Sequence, residues 1–189
     1  MYAFEALVRS REAKLPHPGA LLDAAERLDR LPDLGRAIRA RVEAPAEGLV
    51  FVNLYPMDLL DEHLYSSDAA LSRLAARVVL EITERSSLDR VPDVRARIDR
   101  LRELGFRVAI DDLGAGYAGL AAFAALNPEV AKIDMSLVRG VDGDPVRQRL
   151  IGSMIALCRD LGIELVAEGV ETPAERDALI AVESGKDGG

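Results

Sequence analysis

Residues 104–111, Leu104-Gly105-Phe106-Arg107-Val108-Ala109-Ile110-Asp111, and residues 161–168, Leu161-Gly162-Ile163-Glu164-Leu165-Val166-Ala167-Glu168, are two copies of one design. In each, an amphipathic stretch runs into a glycine, an apolar run follows, and an acid stands six residues after the glycine. Glycine ends a helix because it adopts the left-handed backbone of a C-terminal cap without a Cβ penalty. The apolar run does not alternate strictly with polar residues, as expected of a strand covered on both faces of a parallel sheet. Helix, Leu-Gly, strand, acid is therefore a β/α junction whose polar residue falls at the C-terminal end of the strand.

The same grammar extends along the chain. Strands are predicted at residues 3–9, 49–54, 78–82, 106–111, 130–134 and 163–168. A helix over 92–104 opens with Pro92 and turns Val94, Ile98 and Leu101 to one face before Gly105. A helix over 145–161 repeats this, with Pro145 early, Leu150, Met154, Leu157 and Leu161 inward, and Gly162 as the stop. Residues 19–43 read as a helix or a helix pair broken near Pro32. Strands alternating with helices imply right-handed parallel crossovers, hence an α/β fold of the TIM-type β/α barrel kind. Residues 1–182 form a single expected domain and 183–189 a flexible tail. The 189 residues fall just short of the roughly 200 usual for eight strands.

Composition narrows the function. The chain is 49% hydrophobic and 30% charged, enough for a sizeable core. No apolar run reaches the length of a membrane span, and the N-terminus lacks the basic and apolar regions of a signal peptide, so a cytoplasmic setting is expected. The net charge of −8 argues against nucleic-acid or anionic-membrane binding. The single cysteine, Cys158, excludes an internal disulfide framework and reads as core. His17 and His63 read as solvated, and Arg36, Arg39 and Arg41 as a solvated helix face.

Polar residues collect where strands end: Asn53, Glu81, Asp111 with Asp112, Lys132 with Asp134, and Glu168, while Glu5 lies within the first strand. Taken singly each fits a capping or solvated role, but five strands each offer one. Converging carboxylates repel one another and raise their own pKa values unless cations intervene. Carboxylates with an amide oxygen suit hard ions such as Mg²⁺ or Mn²⁺, and a pair of ions stabilises attacking and leaving oxygens in phosphoryl displacement. Lys132 is one of three lysines, beside Lys14 and Lys186, and the one inside an apolar strand. It can hold or deprotonate a water, simply balance the acids, or form a Schiff base. The loop Asp111-Asp112-Leu113-Gly114-Ala115-Gly116-Tyr117 offers glycines for close approach to a ligand.

Six ordered motifs resemble the EAL domain family of cyclic di-GMP phosphodiesterases. They are Glu5-Ala6-Leu7-Val8-Arg9, Asn53-Leu54-Tyr55-Pro56, Glu81-Ile82-Thr83-Glu84, Asp111-Asp112-Leu113-Gly114-Ala115-Gly116-Tyr117, Lys132-Ile133-Asp134 and Ala167-Glu168-Gly169-Val170-Glu171. The resemblance implies a β/α barrel that hydrolyses cyclic di-GMP to linear pGpG by two-metal-assisted water attack. It implies Mg²⁺ or Mn²⁺ held by Glu5, Asn53, Glu81, Asp111, Asp112 and Glu168. It further implies Lys132 at the attacking water, Glu171 bracing the loop after Asp112, and Leu7 and Arg9 facing the substrate. A homodimer, and sensory or diguanylate-cyclase domains in a longer parent chain, are the partners it suggests.

The chain departs from the family pattern in places. Leu113 and Ala115 replace the usual Phe and Thr. The family's strand before Glu-Ala-Leu, and its last strand carrying an active-site glutamine, have no counterpart in these residues. The expectation is thus an incomplete barrel of about six strands, with open edges beside the strands of Glu5 and Glu168. The rival to catalysis is an EAL-like module that binds cyclic di-GMP or a protein partner without hydrolysis. A product of truncation with no stable function is the third reading.

Overall fold

The structure, a computed structural model, describes residues 3–43, 45, 47–83, 88–115 and 119–185. Among the described residues six strands alternate with helices or 3₁₀ turns in chain order: β1 (Ala3–Ala6), β2 (Leu49–Asn53), β3 (Val78–Thr83), β4 (Arg107–Leu113), β5 (Val130–Ile133) and β6 (Glu164–Ala167). The chain folds as two compact units. One takes the residues up to Ile82 and those from 88 to Val108; the other takes Thr83 and the residues from Ala109 onward.

In the first unit β1, β2 and β3 run parallel, Glu5 opposite Phe51 and Asn53 opposite Glu81. Val52, Val79 and Leu80 are fully buried, as the unbroken apolar runs require. The predicted first strand is shorter than expected: it stops at Ala6, and Leu7, Val8 and Arg9 leave the sheet. The 19–43 stretch is a helix pair, α1 (Pro18–Arg27) and α2 (Leu31–Arg39). The break lies at residues 28–30, where Asp29 takes φ 54°, and Pro32 sits in the first turn of α2, which a proline tolerates. His17 does more than face solvent: its Nδ1 accepts the Ala20 amide at 3.1 Å and caps α1. Between β2 and β3 the chain makes three short 3₁₀ turns, Pro56–Leu60, Glu62–Tyr65 and Ser72–Arg77. Helix α3 (Val94–Glu103) buries Ile98 and Leu101 completely.

The expected solvated arginine face holds for Arg36 and Arg41, which are exposed, but fails at Arg39. Arg39 is 6% exposed. Its guanidinium lies 2.8 Å from both Asp58 and Asp61, and Arg36 forks onto the same Asp61 with two bonds of 2.8 Å. A Cβ at Gly35 would collide with the Asp58 carboxylate, so glycine is what lets α2 approach these acids. The pattern was hidden because the partners stand some 20 residues away in a segment without helical period.

In the second unit β4, β5 and β6 are parallel, with Ala109 opposite Val130 and Val130 opposite Glu164. Helix α4 (Gly119–Leu126) follows β4, and the short α5 (Met135–Val138) follows β5. Helix α6 (Pro145–Leu161) has the predicted ends: Asp144 accepts the Val146 and Arg147 amides, and Gly162 turns left-handed at φ 71°. Its phase differs from the prediction. Leu150 and Leu161 are 47% and 55% exposed, whereas Ile151 and Cys158 are buried, with Met154 and Ile155 packed on the Ile133–Val138–Val141 cluster. Helix α7 (Pro173–Glu183) closes the unit, its start fixed by a reciprocal Thr172–Glu175 capping box. No helix among the described residues is long and apolar enough to cross a membrane.

Candidate active site

In the first unit, adjacent strands present Glu5, Asn53 and Glu81. Asn53 and Glu81 are register partners, and Asn53 Nδ2 donates to Glu5 Oε1 at 3.2 Å. That bond leaves the Asn53 carbonyl oxygen as the group's remaining acceptor. Glu81 is 1% exposed, and a carboxylate at that depth requires neutralising or hydrogen-bonding company. Glu5 and Asn53 are exposed. Leu7 and Arg9 are also exposed, Arg9 donating to its neighbour's carbonyl, Val8 O, at 3.0 Å.

The second unit gathers Asp111, Asp112, Lys132, Glu168 and Thr83. Lys132 stands on β5, with Nζ 2.6 Å from Glu168 Oε1 and 3.3 Å from Asp111 Oδ1. The side chain is 6% exposed, so this ammonium replaces its water shell with two carboxylates. In a regular strand Asp111 and Asp112 would point to opposite faces. Here the pairing of β4 with β5 slips between Ile110 and Leu113, and Asp112 takes the left-handed φ of 58°. Both acids and Glu168 then offer carboxylate oxygens within 4.8 Å of one another. Thr83 donates its hydroxyl to Asp112 Oδ2 at 3.2 Å. Gly114, at φ 96°, follows at once; a Cβ there would strike Leu137.

One ammonium against three acids leaves negative charge in a partly buried place. Oxygen ligands so clustered suit a hard divalent cation, so the residues present fit the ion that the sequence implies. Glu168 lies one residue beyond β6, and its amide still donates to Ile133 O at 3.1 Å, which fixes the backbone beside Lys132.

Not every predicted strand-end residue joins this group. Asp134 is an N-cap, its Oδ1 accepting the Ser136 amide at 2.8 Å. Glu171 is exposed and ion-paired with Arg139. Glu84, Gly116 and Tyr117, which complete two of the motifs, and residues 186–189 of the predicted tail lie outside the described residues. Two groups escaped the sequence reading. Thr83 carried no signal beyond its place in a motif. Glu175 carried one, the Thr-x-x-Glu spacing ahead of an apolar helix. Amides of Gly140, Glu171 and Thr172 donate to Glu175, which holds its carboxyl at about 2, below the usual 4.5.

The model of the EAL domain matches residues 1–184. The chain belongs to the EAL domain family. Among its relatives, the probable cyclic di-GMP phosphodiesterase PdeG of Escherichia coli is 40% identical over 120 residues, covering 64% of this chain and 24% of PdeG. The cyclic di-GMP phosphodiesterase PdeL of the same species is 36% identical over 104 residues, covering 55% of this chain and 29% of PdeL. The blue light- and temperature-regulated antirepressor BluF, also from Escherichia coli, is 33% identical and covers 67% of this chain and 33% of BluF. Among solved structures, the calcium and cyclic di-GMP complex of Klebsiella pneumoniae BlrP1 superposes with a TM-score of 0.80 at 31% identity, covering 94% of this chain and 47% of that one. A BlrP1 complex with manganese and cyclic di-GMP gives 0.77 at 30% identity over the same shares. The EAL chain thus spans about a quarter to a third of these curated relatives. The expected fold class agrees with these neighbours: parallel strands and helices in the order of an EAL barrel.

Proposed function

We propose that the chain hydrolyses cyclic di-GMP to linear pGpG with Mg²⁺ or Mn²⁺, two ions serving one displacement. The observation that carries this reading is Lys132, buried between Asp111 and Glu168 with Asp112 beside them. It is supported by the phosphodiesterase relatives and by metal and cyclic di-GMP complexes in the family. Asp111, Asp112 and Glu168 hold metal in this reading, with Glu5, Asn53 and Glu81 as the further ligands. When bound, such ions neutralise phosphoryl oxygens and lower the pKa of water. Lys132, flanked by its two acids, orients the attacking water through its Nζ–H groups. Arg9 takes a phosphate oxygen through its guanidinium, and Leu7 lines the substrate's apolar side. Glu171 braces the segment after Asp112. Water oxygen bonds to phosphorus, the opposite P–O bond breaks, and the proton ends on the departing oxygen. Residues 1–182 act as one domain, in the cytoplasm. A homodimer and flanking sensory or cyclase domains complete the reading.

The direct test is conversion of cyclic di-GMP to pGpG by purified, folded protein, with and without Mn²⁺. Metal-dependent product supports the reading; none from cooperatively folded, metal-saturated protein rejects it. The similarity to an antirepressor favours a second reading, an EAL module that binds cyclic di-GMP or a protein without cleaving it. Calorimetry showing binding with no turnover would select it.

A further inference from the structure

The segment that follows Glu168 has no strand or helix of its own until Thr172, yet Glu168 must be held to the precision of a 2.6 Å contact with Lys132. Three features restrain it. Gly169, at φ 66°, packs so closely that an added Cβ would lie 2.6 Å from Met135 Cβ. Glu171 is ion-paired with Arg139, whose carbonyl oxygen in turn accepts from Arg147. The third is Glu175, a carboxylate 6% exposed on the first turn of α7.

Glu175 does more than cap its own helix. Oε2 accepts the amides of Glu171 and Thr172, both at 3.0 Å, and Oε1 accepts the amide of Gly140 at 2.9 Å, from the turn after α5. An ordinary capping box needs the bond to Thr172 alone. The other two bonds tie the loop after β6 to the loop after β5, the strands that carry Glu168 and Lys132. The bond to Gly140, 35 residues away, is no part of a capping box and joins the start of α7 to the turn after α5.

We infer that Glu175 is a positioning residue of the site: it fixes the Glu168–Glu171 segment against the Gly140 turn and thereby sets Glu168 beside Lys132 and the two aspartates. It acts through Glu168 and touches neither substrate nor metal. For its consequence in catalysis the inference rests on the phosphodiesterase reading; for the placement of Glu168 it does not.

The test uses the full chain and the variants E175Q and T172A. Glutamine offers one acceptor oxygen where the carboxylate offers two, so it cannot serve three amides at two sites. T172A removes the hydroxyl that Glu175 N–H meets at 3.2 Å and leaves the carboxylate intact, so it reports helix capping alone. The first readout is amide hydrogen exchange without metal. E175Q is expected to speed exchange at least about tenfold in residues 168–171, with β4 and β5 unchanged, while T172A leaves 168–171 as they were. The second readout is Mn²⁺ binding by calorimetry, expected to weaken about 10- to 100-fold in E175Q, as for loss of a group that orients a ligand. Unchanged exchange at 168–171, or equal acceleration in T172A, overturns the inference. So does unchanged Mn²⁺ affinity. Should E175Q not melt cooperatively, E175D takes its place, its shorter side chain unable to span both loops. If the parent chain itself binds no Mn²⁺, the phosphodiesterase reading falls, and the exchange data alone decide whether Glu175 places Glu168.

Discussion

The two units present their functional residues in different ways. In the second unit the acids come with their counter-charge: Lys132 bridges Asp111 and Glu168, Thr83 bonds Asp112, and the loop after Glu168 is restrained by Gly169, Arg139 and Glu175. In the first unit Glu5 and Asn53 are exposed and joined by a single hydrogen bond of 3.2 Å. Fixation there lies one step back, where Arg39 and Arg36 grip Asp58 and Asp61 in the turns that follow Asn53. One set is rigid at the functional atoms themselves; the other is rigid in its support. Electrostatic preorganisation contributes to catalysis only where the charges are already held, so the second set should carry the chemical step and the first should tune ligand binding.

The largest effect tests the rigid set. Lys132→Met removes the ammonium and leaves Asp111 and Glu168 facing each other. Turnover of cyclic di-GMP at saturating Mn²⁺ should fall about 10³-fold, the scale of losing a positioned proton or water partner. A loss below tenfold would reduce Lys132 to charge balance.

Next is the support of the open set. Arg39→Met strands Asp58, whose carboxyl burial already pushes up, with Arg39 as the opposing influence. Removing one side of a buried pair should cost about 3 kcal/mol in urea unfolding. A cost within about 0.5 kcal/mol, the scatter of surface substitutions, would place the rigidity elsewhere. Smaller again is Asn53→Ala. It should weaken Mn²⁺ binding about tenfold while stability stays within about 0.5 kcal/mol, because both partners of its one hydrogen bond are exposed. An equal loss of stability would mean that the first set is as preassembled as the second.

How far this contrast was legible in the sequence depends on the range of the interaction. The ends of α6 follow from Asp144, Pro145 and Gly162, which act within one turn, and they lie where the sequence puts them. Its buried face does not: apolar residues occur on both sides of that helix, so period alone favoured Leu150 over Ile151, and the packing against Val138 and Val141 decided otherwise. The motif acids were legible as residue types at strand ends. The slipped register that swings Asp112 toward Asp111 and Glu168 was not, since two adjacent aspartates in a strand look divergent. Arg39 resembled any charged helix residue because Asp58 and Asp61 reach it only through tertiary folding. Glu175 was legible as a cap, yet its bond to Gly140 depends on how two distant loops meet.

The mildest test is titration, which separates the clamp of the second unit from the ion pairs of the first. Three backbone amides hold the Glu175 carboxyl at about 2 in the folded chain, against an ordinary 4.5. A depressed acid contributes stability that is complete above the ordinary value and is lost as pH falls towards the folded one. The contribution should therefore disappear between about pH 4.5 and about pH 2. Other acids titrate there too. Asp61, held low chiefly by its bond to Arg36, contributes with the same sign, whereas Asp58, raised by burial, contributes with the opposite one. Both are present in E175Q, so the difference between parent and variant cancels them. The melting temperature of the parent should drop faster than that of E175Q across this window, with a constant gap above it. Parallel curves through the whole window would mean that the three amides do not favour the ionised carboxylate in the folded chain, and the second unit would lose one of the restraints that set it apart.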